Sequence, residues 1–137
     1  MDAQVGAMIA VDTCVLVRWV LRDDGRQAVA ADAQLALPFF LGVSVLVELG
    51  WVLATIGRMS RPQIARALES LLGLPTAIVE HETHVRWAIQ RYAAMGDLPD
   101  LIHLANSTDA DGFVTFDKAL LREAGPNAPV PVSILES

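Results

Sequence analysis

The sequence predicts an α/β domain whose mainly parallel central sheet is covered by helices in a three-layer α/β/α arrangement. Two observations predict it. Short apolar runs, too brief for helices, alternate with longer stretches in which apolar residues recur at helical spacing. The turns between them are short, as in right-handed strand–helix–strand units. A third observation concerns chemistry: the first run, Met8 to Val11, stops at Asp12, and the run Phe113 to Phe116 stops at Asp117. Carboxylates at strand ends lie where open α/β sheets place their ligands.

Residues 1–7 form a short lead without periodicity, and the domain spans 8–137, with Met8 a possible start. The run Met8 to Val11 suits a strand buried on both faces. Val15 to Leu21 reads as a helix closed by the polar turn Asp23-Asp24-Gly25. Arg26 to Leu37 is Ala-rich and helical until Pro38. Phe39 to Val43 is a second strand, and Ser44 is placed to cap the helix Val45 to Ile56. Ser60 and Pro62 open a helix through Leu72. Leu74 to Val79, with Pro75 near its start, suits an edge strand. Thr83 to Ala94 carries Val85, Ala88, Ile89 and Tyr92 at helical spacing, and Asp97-Leu98-Pro99-Asp100 opens the next helix. After the turn at Asp109 to Gly112 come the strand Phe113 to Phe116, a brief helix Lys118 to Glu123 and a last strand Val130 to Leu135. No internal repeat, linker or low-complexity tract interrupts this single domain.

With 137 residues and 53% hydrophobic content, the chain has enough apolar material for a real core, and disorder is excluded. The net charge of −6 argues against gripping nucleic acid by bulk electrostatics. It leaves room for a nuclease, whose metal site is itself built from acids. One cysteine, Cys14, allows no internal disulfide or zinc pattern; without a signal-peptide pattern at the start, a cytoplasmic setting is expected. Leu35 to Gly57 is long enough to span a bilayer, but Pro38, Gly42, Ser44 and Glu48 interrupt it. A buried strand and helix are the expected reading, with no membrane association.

Four carboxylates interrupt or end apolar segments: Asp12, Glu48, Asp100 and Asp117. A buried ionised acid must be paired, protonated or bound to metal, and converging acids without bases suit a hard divalent cation. Each also has a structural reading. Asp12 and Asp117 can cap the helices that follow them, and Asp97 sits at a capping position. Glu48 can interact with its helix dipole or pair with Arg18.

Together these segments resemble the PIN-domain family, and most closely its VapC-type ribonuclease toxins. The residues that carry the resemblance are VDTCVLVRWVLRDDGRQAVAA, SVLVELGWVL, MGDLPDLIHLANS and DGFVTFDKAL, in the family's order and at about its spacing. The resemblance implies an endoribonuclease that hydrolyses phosphodiester bonds with Mg²⁺ or Mn²⁺. Asp12, Glu48, Asp100 and Asp117 would be its catalytic and metal-binding acids. Asp97 would be an accessory acid, and Thr13 and Thr115 hydroxyls beside the first and last acids. It further implies a VapB-type antitoxin that holds the toxin inactive, and a homodimer. Surplus apolar helix surface in Val15 to Leu37 and Leu46 to Leu72 fits such interfaces.

Cys14 departs from the family, which often has Asn there; a thiol lacks an amide's two-sided hydrogen bonding. The alternative reading is therefore a catalytically weakened PIN scaffold that acts mainly as a protein-binding module. A receiver-type phosphoryl-transfer protein is a weaker third, lacking an acid pair before Asp12 and a Gly-rich phosphate loop. Arg22, Arg26, Arg91, Lys118 and Arg122 flank the acidic segments and are candidates for RNA contact. Structural roles are expected for His81, His84 and His103. Trp19, Trp51 and Trp87 are expected in the core or an interface rather than stacked on bases.

Overall fold

The computed structural model describes residues 7–136. Apart from Ala7, the N-terminal lead lies outside the described residues. The chain forms two compact units that divide between Glu80 and His81. All pairing between strands is parallel, in a three-stranded sheet and a two-stranded one among the described residues.

The first unit runs β1 (Ile9–Ala10), α1 (Thr13–Leu21), α2 (Gly25–Leu35), β2 (Phe39–Leu41), α3 (Val43–Thr55), α4 (Arg61–Leu72) and β3 (Ala77–Val79). Its sheet has the order β1-β2-β3, with Ile9 opposite Phe39 and Phe39 opposite Ala77. The central strand is the buried one: Phe39 and Leu41 are fully enclosed. β1 corrects the sequence-based expectation. It is two residues long, at the end of its sheet, and Met8 and Ile9 are exposed while Val11 is buried. A strand with one neighbour among the described residues is not covered as a central strand is. β3 is the predicted edge strand.

The helices close this unit with Leu16, Leu46, Leu49, Leu53, Ile64 and Leu68, all essentially inaccessible. Burying such side chains contributes about 1.5–3 kcal/mol each relative to exposure. α4 starts as its sequence requires, with a reciprocal capping box between Ser60 and Gln63 and Pro62 in the first turn. α3 does not start as expected. Ser44 is not its cap; the N-cap is Gly42, which has no side chain to offer. Glu80 supplies the acceptor instead, its Oε1 taking the Val43 amide at 3.0 Å from the end of β3. A carboxylate at a helix N-terminus also meets the dipole favourably.

The second unit runs α5 (Glu82–Ala94), α6 (Leu98–Ala105), β4 (Phe113–Thr115), α7 (Lys118–Ala124) and β5 (Val132–Ile134), with β4 and β5 paired. Leu104, Leu120, Ala124 and Val130 form a buried cluster against which Trp87 packs. Trp51 is not core: it is 63% exposed on α3, and Val29, Leu37 and Ile56 are exposed with it on the first unit. No helix among the described residues is long and apolar enough to cross a membrane.

Candidate active site

Asp12 follows β1 and caps α1 in an extended conformation, its Oδ1 accepting the Thr13 amide at 2.7 Å. Capping and ligation are compatible here. A carboxylate offers about four acceptor sites, and among the described residues Oδ2 meets only the weak Cys14 thiol donor at 3.7 Å. Thr13 is 5% exposed, the buried polar side chain of the described core. Its hydroxyl donates to Glu48 Oε1 on α3. The Leu46, Leu49 and Leu53 side of α3 is buried, so Glu48 projects from a different face, against the start of α1.

Glu48 does not pair with Arg18. The Arg18 guanidinium instead donates from Nε to Gln27 at 2.5 Å and from Nη1 to both Asp23 oxygens at 2.9 and 3.2 Å. Among the described residues neither Asp12 nor Glu48 has a cationic partner. Asp12, Thr13, Cys14, Val17, Arg18 and Glu48 line one open pocket of about 340 Å³.

The second unit gathers the other acids. Asp97 occupies the N-cap position of α6 without a side-chain capping bond, and Asp100 sits in the first turn. Burial, then the charges of Asp97 and Asp117, raise the Asp100 pKa above its ordinary value, while His103 opposes the shift. Asp117 caps α7, its Oδ1 accepting the Ala119 amide at 2.9 Å. Its own amide donates to the Thr115 hydroxyl at 3.0 Å, so Thr115 shapes the turn that carries Asp117. Among the described residues no group of three or more His, Cys, Asp or Glu is assembled tightly enough to hold a metal ion.

The basic candidates separate by what they already bind. Arg22 pairs with both oxygens of Asp32, at 2.9 and 2.7 Å, and its hydrogen bond lowers the Asp32 pKa. Arg91 donates to the Glu123 carbonyl at 2.5 Å and the Arg122 carbonyl at 3.3 Å, closing the C-terminal end of α7. Arg26, Lys118 and Arg122 are exposed.

The PIN domain family model matches residues 9–125, most of the chain and all of these acids. The chain belongs to the PIN domain family. A search of curated proteins finds no match. A PIN domain implies a nuclease, and the family generally works with divalent metal ions. The residues here fit such an ion by their chemistry. The donors are hard carboxylate and hydroxyl oxygens, and Asp100 is crowded by like charges that a cation would relieve. Sequence reasoning treated Arg18 only as a partner for Glu48 and so missed it as a pocket residue. Its four-residue spacing from Cys14 on α1, which puts both on one helix face, was the available signal.

Proposed function

We propose that this PIN domain is a metal-dependent endoribonuclease of the VapC toxin type, cytoplasmic and neutralised by a cognate VapB-type antitoxin. Asp12, Glu48, Asp100 and Asp117 are its metal-binding and catalytic acids, with Asp97 accessory. The observation that carries this reading is Asp100 in the first turn of α6, whose pKa is raised by burial first and then by the like charges of Asp97 and Asp117, a setting that a cation would relieve. Buried structural acids are ordinarily paired with a base; among the described residues none of these has a Lys or Arg partner.

A bound Mg²⁺ or Mn²⁺ supplies Lewis-acid stabilisation of phosphoryl charge and an activated water for in-line attack. The chain's own groups hold the acids ready. Thr13 fixes one Glu48 oxygen and leaves the other open. The caps made by Asp12 and Asp117 use one oxygen of each carboxylate, so both side chains are oriented before any ion arrives. Arg26, Lys118 and Arg122 are exposed cations suited to an RNA path. The exposed apolar side chains Val29, Leu37, Trp51 and Ile56 support an antitoxin or homodimer interface on the first unit.

The test is cleavage of single-stranded RNA by antitoxin-free protein in Mn²⁺. The reading requires cleavage that Asp12→Ala and Asp117→Ala each abolish; cleavage that survives both substitutions would overturn it. A second reading, the weakened scaffold, is favoured by one contact: the Cys14 thiol faces Asp12 Oδ2 at 3.7 Å. Under that reading Cys14→Asn raises activity from near zero.

A further inference from the structure

We infer that Arg18 is a phosphate-binding residue of the first unit's pocket, poised to hold the RNA backbone beside Asp12 and Glu48. The inference rests on the nuclease reading and adds a substrate contact to it. Asp12 and Glu48 give the pocket negative charge, and Arg18 is the cation among its lining residues. An RNA phosphate entering there meets repulsion from the acids unless a fixed positive group, or an ion, receives it.

Arg18 is held in a manner suited to that task. Gln27 takes Nε–H at 2.5 Å and Asp23 takes Nη1 at 2.9 and 3.2 Å. Nη2 and its two N–H groups have no partner among the described residues. A guanidinium anchored through Nε and Nη1 keeps its Nη2 N–H groups to donate to a phosphate oxygen and loses little side-chain freedom on binding. The Asp23 pair does not cancel this charge. Its side chains are 36% and 56% exposed, so solvent screens the pair, and its main effect is orientation. A purely structural Arg18 would use the same two partners to brace α1 against α2, and the experiment separates the two roles.

The measurement is binding of a short, fluorescently labelled single-stranded RNA by anisotropy, in Mn²⁺ and on an Asp117→Asn background that suppresses cleavage. Salt is varied from about 50 to about 200 mM. Arg18→Ala is expected to weaken binding about tenfold or more, as for loss of a charge-assisted hydrogen bond. It should also flatten the salt dependence by about 0.7 in log–log slope, one single-strand phosphate contact. Arg18→Lys should keep the slope and recover part of the affinity. Gln27→Ala, which frees Nε without changing charge, should give an intermediate loss. Arg66→Ala, an exposed arginine on α4, controls for charge alone and is expected to change affinity about twofold or less.

In the cleaving protein, Arg18→Ala should raise KM more than it lowers kcat. If Arg18→Ala lowers the melting temperature while RNA affinity and salt slope match the parent, the inference is overturned and the nuclease reading stands. If the parent neither binds nor cleaves RNA, the nuclease reading fails and this inference falls with it.

Discussion

The buried hydroxyl of Thr13 donates to the carboxylate of Glu48, joining the first turn of α1 to α3 across 35 positions of sequence. The bond explains how an acid on an otherwise apolar helix is held without a cation. Thr13→Val keeps the shape and removes the donor. It is expected to cost about 1–3 kcal/mol by chemical denaturation, because the partner is charged. Thr13→Ser should recover most of that loss, and nuclease activity should follow the same order.

Asp100 makes stability depend on pH in a direction fixed by its surroundings. Its folded pKa is raised, so the folded state holds the proton more tightly than the unfolded chain. That contribution is fully present below the ordinary Asp value of 3.8 and is lost as pH rises through the raised value. In chelator, Asp100→Asn should therefore be more stable than wild type at neutral pH, with the difference shrinking as pH falls toward 4. Denaturation midpoints across pH check this; a wild type more stable than the variant at neutral pH in chelator would contradict it.

Glu80 caps α3 from the end of β3. Glu80→Ala should destabilise the protein by about 1 kcal/mol, the usual scale for a lost N-cap. Glu80→Gln keeps an acceptor but loses the charge at the helix dipole, so it should fall between the two. Ser44→Ala should be nearly neutral, which directly separates the observed cap from the one that sequence suggests.

Arg91 closes α7 through two carbonyls, and a Cβ at Gly125 would lie 3.0 Å from its guanidinium. Gly125 also holds φ +75°, a conformation that costs an L side chain. Arg91→Met is expected to lower stability by about 1–2 kcal/mol through the lost hydrogen bonds. Gly125→Ala should also destabilise, for strain and crowding together. A melting series on the two variants and wild type tests both.

The Glu80 cap shows where the sequence stops being legible. Local signals were readable: the Ser60 and Pro62 helix start, the helix stops, and the acids at strand ends all reflect neighbours within a few positions. The Val43–Glu80 bond joins residues 37 positions apart, and no local pattern announces it. Ser44 is a good N-cap residue by propensity, but the chain turns into the helix two residues earlier, at Gly42. β1 failed for a related reason, since hydrophobic character predicted burial and its place at a sheet end decides exposure. At the candidate site, the acids stand out in the sequence because each interrupts or ends an apolar run. Cap and ligand are not alternatives that sequence separates, because one carboxylate can cap through one oxygen and offer the other. Arg18 and its partners Asp23 and Gln27 lie close in sequence, yet their common guanidinium geometry emerges only once α1 and α2 pack together.

On the proposed function, these carboxylates are held for a divalent ion. Calorimetric titration of Mn²⁺ into purified wild type and Asp100→Asn tests this most directly. Saturable binding by wild type is expected, lost or strongly weakened in Asp100→Asn with the variant still folded. Equal binding by both proteins, or none by wild type, would contradict it.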